Sequence, residues 1–227
     1  MLRQVGYRAF LIDINLQKIR YTAYSIYAKN KNDIKNCEDA IRQCITKLNN
    51  LNKRYNDYTK GLEGETKVTE TLKNLEYDDY LINDITLDKA FGNIDHILVS
   101  RFGIFIIETK NWSGEIICEG YKWIKHYEND CSPVDLDIDS ISKRINGNAG
   151  KLRRLIGAEI FHNLMTIWVN GIIVFTNTDA KIKCINPKVP VLTIEELNEY
   201  IKRQQPWTKF SQKDLESIAN FISTFDI

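Results

Sequence analysis

Apolar residues recur at alternating intervals of three and four positions through the first sixty residues of the chain. One stripe runs from Leu2 to Ile26 and a second from Ile34 to Leu62, and the polar stretch KNKND separates them. Two such stripes joined by a short turn predict an antiparallel helical hairpin, with Asp33 as the N-cap of its second helix. Extra apolar residues beside the first stripe leave a partly extended first segment open as an alternative.

From residue 61 the pattern changes to shorter elements. The sequence predicts an amphipathic helix in GLEGETKVTETLKNL, followed by strands in YLINDITL, at 94–100, at 103–109 and near GEIICEG. It then predicts a helix from about Ser140 to Leu164, a strand at 167–175, a short strand that Thr193 caps into a helix, and a last helix after Ser211.

This order of elements predicts an α/β (α+β) fold in which helices flank a mixed β-sheet core. We expect the hairpin to occupy residues 1–60, the core 61–194, and C-terminal helices packed on the core 195–227. The longest stretch without Asp, Glu, Lys or Arg, at 160–178, contains His and Asn and predicts no membrane span.

Composition restricts the partners and the compartment. The 227 residues carry a net charge of +1, so any surface for a nucleic acid has to be local. The five cysteines are scattered and form no CxxC pair, which argues against a zinc site or a disulfide framework. A reducing, cytoplasmic compartment is therefore the expectation.

Three charges interrupt the apolar stretch NIDHILVSRFGIFIIETKNWSG. If Arg101 and Phe102 form a two-residue loop, the register of the two strands places Asp95 opposite Glu108, with Cβ atoms roughly 5 Å apart. Lys110 then projects from the same face, because alternate residues of a strand share a face. A turn with a left-handed Gly103 would shift the register by one residue, but the chemistry of the charges favours the first register.

Two carboxylates at such a distance form an oxygen-rich site for a hard divalent cation such as Mg²⁺, with Mn²⁺ as a substitute. A neighbouring lysine can hold an attacking water or stabilise charge that develops on a phosphate. The alternative is that Asp95, Glu108 and Lys110 are solvent-exposed charges at strand ends. A charge between buried isoleucines is costly, however, which favours the functional interpretation.

The segments GLEGE, GNIDHILVS and GIFIIETKNWSGEI, with a later basic helix, closely resemble the nuclease-related domain family of the PD-(D/E)xK superfamily. The resemblance covers roughly residues 61–193. It implies a restriction-endonuclease-like core that hydrolyses phosphodiester bonds, with DNA as the expected substrate and Mg²⁺ as the cofactor. By resemblance Asp95 and Glu108 bind the metal, Glu65 completes its environment, and Lys110 is catalytic.

One departure from the family pattern concerns the start of the basic helix. The family often has Asn-Pro-x-x-Gln there, whereas this chain has NGNAG, in which only Asn146 matches. Between Ser140 and Ala158 the chain carries five basic residues and no acidic ones, as a phosphate-contacting helix or a solvated helix face would. The candidate nucleic-acid-binding residues are Lys143, Arg144, Asn146, Lys151, Arg153 and Arg154.

The sequence therefore supports two functions. The first is a metal-dependent nuclease, and the second is a DNA-binding or assembly module with little turnover, in which the hairpin is the working part. We expect a homodimer through the hairpin, since a two-helix hairpin buries only one seam, and an intramolecular brace is the alternative. His96 adjoins Asp95 but alternates to the opposite face, so we expect it outside the metal site.

Overall fold

The computed structural model describes residues 2–29, 34–75, 79–90, 92–126, 134–136, 141–161, 167–205 and 209–225. The chain divides into two compact units, residues 1–60 and residues 61–227. No helix among the described residues has both the length and the apolar content needed to cross a lipid bilayer.

Two long helices begin the chain: α1, Leu2–Lys29, and α2, Ile34–Leu72. The first segment is therefore helical, while the expected cap Asp33 lies outside the described residues. Segments 15–22 of α1 and 44–54 of α2 line one groove, and because only four residues separate the two helices in the sequence, the helices run antiparallel.

The prediction of a separate helix from Gly61 was wrong, because α2 continues without a break from Ile34 to Leu72. No proline or other break interrupts the chain between Ile34 and Leu72, so nothing ends the helix at Gly61. A glycine inside a helix costs about 1 kcal/mol, which the packing of the buried Val68 and Leu72 offsets.

The strands of the second unit form two sheets, where the sequence predicted one. The first has five strands in the order β1-β2-β3-β7-β9, namely Tyr80–Asp88, Gly92–Ser100, Gly103–Lys110, Val169–Phe175 and Val191–Thr193. The second has four in the order β6-β5-β4-β8, namely Val134–Leu136, Lys122–His126, Gly114–Glu119 and Ala180–Ile185. Strands β5, β6 and β8 were not predicted.

The pairing of β2 with β3 confirms the predicted register. His96 lies opposite Ile107 and Ser100 opposite Gly103 in an antiparallel ladder. The Ser100 hydroxyl closes the loop, accepting from the Phe102 amide and donating to the Gly103 carbonyl, each at 3.1 Å. Gly103 has a φ of +128°, outside the left-handed helical conformation that the alternative turn requires.

Each face of the first sheet packs against helices. One cluster joins Ile97, Val99, Ile104 and Ile106 to helix α3, Ile141–Ile156, and to helix α5, Gln212–Ser223. The other cluster contains Leu98, Phe105 and Ile107, which alternate with the first set along the same strands. These side chains pack against α2 and against helix α4, Leu197–Lys202. By alternation, Asp95, Glu108 and Lys110 belong to the face that α3 covers.

One predicted helix boundary lies outside the described residues and another was wrong. Helix α3 ends at Ile156 and continues as a π-helical turn, Gly157–Phe161, and the predicted end of this helix near Leu164 lies outside the described residues. Glu196, not Thr193, is the N-cap of α4, because a turn closed by the bond from the Glu196 amide to the Thr193 carbonyl intervenes. The predicted start of the last helix is confirmed, since Ser211 forms a capping box with Asp214.

Candidate active site

Asp95 is fixed to the neighbouring strand by its own carboxylate. Its Oδ2 accepts a hydrogen bond of 2.7 Å from the backbone amide of Thr109, and the side chain is half-buried. The register that pairs His96 with Ile107, extended by one residue, places Asp95 opposite Glu108. The two acidic residues therefore lie on adjacent strands and on one face, as the sequence predicted.

Two cations meet at Glu108, which is only 5% exposed. Its Oε1 accepts from Lys110 Nζ at 2.5 Å and from Nη2 of Arg144, which extends from α3. Lys110 Nζ also donates to the Thr109 carbonyl at 3.2 Å and lies 5.7 Å from the ring centre of Trp112. A buried carboxylate needs such partners, because burial without them would cost several kcal/mol.

The negative charge of Asp95 is stabilised less by its neighbours than the negative charge of Glu108. Burial raises the pKa of Asp95 from 3.8 to about 7, and repulsion from Glu108 and Glu65 contributes, while Lys110 and the Thr109 amide act in the opposite direction. The effect of Glu65 on this pKa shows that it lies close enough to act on Asp95. Three acidic residues thus concentrate negative charge at the ends of β2 and β3.

A close contact of α2 with the sheet brings Glu65 to this site. A Cβ atom added to the preceding residue, Gly64, would lie 2.9 Å from Thr176 Oγ1 and 3.0 Å from Asn111 Cβ. Only glycine fits without a shift of these neighbours. The sequence contained the residue, in GLEGE, but gave no indication of the contact.

His96 lies away from the acidic cluster, as expected. Its ring nitrogens contact Asn83 Oδ1 at 2.7 Å and Thr109 Oγ1 at 3.1 Å, and burial lowers its pKa to about 4. Thr109 therefore holds Asp95 through its amide and His96 through its hydroxyl. Neither Asn83 nor Thr109 was predicted to support the site.

The predicted nucleic-acid-binding residues of α3 have different surroundings. The guanidinium of Arg144 forms an ion pair with Glu108. The Arg144 side chain would also lie within 4.0 Å of a Cβ atom added to Gly92, whose φ is +70°. Lys143 lies 5.9 Å from the ring of Tyr121. Arg153 stacks 5.3 Å over Trp168, which is 60% exposed.

The remaining candidates of α3 differ in exposure. Asn146 and Arg154 are exposed and Lys151 is half-buried, whereas Asn148, which was not predicted, is 3% exposed. Positions 143, 147, 151 and 154 follow helical spacing and share one face of α3.

Asp95 and Glu108 fit a divalent cation by their chemistry. Carboxylate oxygens are the ligands that Mg²⁺ prefers, and a cation would relieve the repulsion that raises the pKa of Asp95. Within the described residues, no three Asp, Glu, His or Cys side chains are already spaced to hold a metal.

The nuclease-related domain family model matches residues 60–176, which is just over half of the chain. The chain therefore belongs to the nuclease-related domain family, whose fold is of the PD-(D/E)xK kind. The match includes Glu65, Asp95, Glu108 and Lys110, together with all of α3.

The chain is also similar to an uncharacterized protein of Bacillus anthracis, with 34% identity over 73 residues. That segment is 30% of this chain and 34% of the relative, so the chain covers about a third of the relative's length. No solved structure matches the chain.

Proposed function

We propose that this protein is a metal-dependent nuclease that hydrolyses phosphodiester bonds of DNA. The observation that carries the proposal is the cluster of Asp95, Glu108 and Lys110 on one face of adjacent strands, inside a nuclease-related domain. Asp95 and Glu108 would hold Mg²⁺ or Mn²⁺, and Glu65 would complete the site. The bound cation would polarise the scissile phosphate and lower the pKa of the attacking water.

Lys110 is proposed to position that water and to stabilise the charge that develops on the phosphate. Its Nζ is held by Glu108 at 2.5 Å and by the Thr109 carbonyl at 3.2 Å, so the ammonium is directed towards the acidic cluster. A positioned cation of this kind is effective because it needs little reorganisation during the reaction.

Cleavage of plasmid DNA in Mg²⁺ or Mn²⁺ tests the proposal. Lys110→Ala should lower the rate by roughly a hundredfold or more, because it removes a group that acts on the reacting atoms. Lys125→Ala is the matched control, since Lys125 Nζ contacts the same Trp112 ring at 5.5 Å and is not placed in the site. Equal activity of wild type and Lys110→Ala would contradict the proposed role.

Metal binding can be measured separately from cleavage. Asp95→Asn with Glu108→Gln removes both proposed anionic ligands while nearly preserving the side-chain shapes. Calorimetry with Mn²⁺ should show binding to wild type and none to the double variant. Wild-type affinity in the double variant would refute the ligand assignment.

The alternative function is a DNA-binding or assembly module with little turnover. The contact of Arg144 with Glu108 favours it, because a cation already meets a proposed metal ligand. The NGNAG departure from the family pattern favours it as well. In the plasmid assay this alternative predicts retarded but intact DNA at every metal concentration.

We also propose that two copies of the chain pair through the helical hairpin. Ile41, Ile45, Leu48 and Tyr55 follow helical spacing along α2, and each is at least 39% exposed. A second copy would cover this stripe. Sedimentation of the full chain beside a variant that begins at Tyr58 should give a dimer and a monomer, and a full-length monomer at micromolar concentration would exclude the pairing.

A further inference from the structure

Positive charge is concentrated in the first unit of the chain. Residues 1–60 contain twelve Lys or Arg and five Asp or Glu, so this unit carries a net charge of +7. Since the whole chain carries +1, residues 61–227 carry a net charge of −6. The unit that contains the acidic cluster therefore repels a polyanion at long range, and the helical hairpin attracts one.

A groove between α1 and α2 collects part of this positive charge. This groove, here called the hairpin groove, has a volume of about 400 Å³. Its polar lining residues are Asn15, Lys18, Thr22, Lys47, Asn50 and Arg54. Lys18, Lys47 and Arg54 are exposed, and none of them forms an ion pair with any described residue. Three exposed cations thus surround one concave surface.

The spacing of these cations suits a phosphate backbone. Lys47 and Arg54 are two helical turns apart, or about 10 Å along α2. One strand of duplex DNA carries roughly one negative charge per 3.4 Å of the helix axis, so that length corresponds to about three phosphates of one strand. The amide of Asn50 adds a group that can donate hydrogen bonds to phosphate or sugar oxygens.

We propose that the hairpin groove binds the sugar-phosphate backbone of a nucleic acid and so holds the substrate of the nuclease-related unit. The inference rests on the proposed function in one respect, which is that a nucleic acid is the substrate. It assigns a binding role to the hairpin, which lies outside the nuclease-related domain match that begins at residue 60.

A nucleic acid fits the groove better than an anionic membrane does. Helices that bind membranes insert a continuous apolar face with cations at its edges. In this groove the apolar side chains Ile19, Cys44 and Leu51 are half-buried between the helices, and polar groups form the accessible rim. Such a surface can contact charged oxygens but offers little apolar area to a bilayer.

The test measures binding of the full-length chain to a short labelled DNA duplex without divalent cations. Every protein carries Lys110→Ala, so that cleavage plays no part. The groove variant adds Lys18→Gln, Lys47→Gln and Arg54→Gln. If three phosphate contacts are lost, the slope of log K against log salt should become shallower by about 2.7. Between 50 and 200 mM salt the parent should then lose roughly 40-fold more affinity than the groove variant.

A control variant with Arg20→Gln, Arg42→Gln and Lys53→Gln removes the same charge from exposed positions outside the groove. It should keep a slope close to that of the parent, and circular dichroism should show equal helix content in all three proteins. Equal slopes for the two triple variants would overturn the proposal, because charge alone would then explain binding. Binding to phosphatidylserine vesicles but not to DNA would overturn it as well.

Failure of the groove proposal and failure of the proposed nuclease function give different results in the binding and cleavage assays. A chain that binds DNA through the hairpin groove but does not cut plasmid in Mg²⁺ or Mn²⁺ would refute the nuclease and support the groove. A chain that cuts plasmid while the groove variant binds with the parent's slope would refute the groove alone.

Discussion

The helical hairpin and the nuclease-related unit use their apolar residues differently. Every fully buried apolar side chain that the structure describes lies at Val68 or later. Among the described side chains of residues 13–27 and 37–60, none is fully buried, and Tyr21 and Tyr24 are 76% and 73% exposed. Two helices can bury only one seam, whereas a sheet with helices on both faces buries two.

The two units also differ in the use of charge. The hairpin carries exposed cations around a groove, while the acidic unit directs Lys110 and Arg144 inward to Glu108. The metal-dependent hydrolysis that we propose needs acidic ligands for a cation, and these repel a polyanionic substrate. Under that proposal the two units would have separate tasks: the hairpin would attract a polyanion, and the second unit would hold the reactive groups.

The largest expected difference between the units is in the cost of removing an apolar side chain. Ile97→Ala in the sheet should cost about 2–5 kcal/mol, because Ile97 is fully buried, whereas Ile19→Ala in the half-buried hairpin seam should cost about 1 kcal/mol. All four tryptophans lie in the second unit, so their fluorescence during urea unfolding follows that unit alone. Ile97→Ala should shift this transition and Ile19→Ala should not.

Circular dichroism provides the complementary measurement, because α1 and α2 contribute most of the helix. Ile19→Ala should lower the midpoint of the helical signal while the tryptophan transition stays in place. A shared shift in both signals for both variants would show that the units unfold as one, and the contrast drawn from burial would be wrong.

A second prediction concerns the pH dependence of the acidic unit without metal. The pKa of Asp95 is raised to about 7, so between about pH 4 and pH 7 the folded state keeps a proton that the unfolded state releases. This contribution to stability is present at low pH and is lost as the pH rises, by at most about 4 kcal/mol. The pKa of His96 is lowered to about 4, so its contribution is lost as the pH falls from about 6.5 to 4.

The two contributions oppose each other and should leave the wild type with little dependence on pH in this range. Asp95→Asn should reveal stability that falls towards acid pH, and His96→Gln should reveal stability that falls towards neutral pH. Urea midpoints from tryptophan fluorescence between pH 4.5 and 7 measure both slopes. Identical slopes in the two variants would contradict the assigned shifts.

Local patterns were sufficient to predict much of the site. The alternation around Asp95 and Glu108 and a two-residue loop determine the register, and neither depends on distant parts of the chain. The contacts that complete the site are not local. Arg144 reaches Glu108 from 36 residues away, and Gly64 meets Thr176 across more than a hundred. No spacing rule predicts such pairs from one sequence.

The missed strands and the missed charge separation have different causes. Strand β8 has largely exposed residues and pairs in parallel with β4, about sixty residues earlier, so it lacks the apolar signal of a buried strand. The net charge of +1 hides opposite charges in the two units, which appear when the charged residues are counted separately on each side of the predicted boundary at residue 60.

The smallest expected effect concerns Arg144, which links α3 to the acidic cluster. If Arg144 competes with a divalent cation for Glu108, Arg144→Ala should tighten Mn²⁺ binding about tenfold, since a charge-assisted hydrogen bond contributes about 1.5–3 kcal/mol. Arg154→Ala is the control, because Arg154 is exposed on the same helix. Calorimetry without DNA gives both affinities. Weaker Mn²⁺ binding by Arg144→Ala would show instead that the arginine orients Glu108 for the metal, and the acidic unit would then depend on its inward cations for binding as well as for folding.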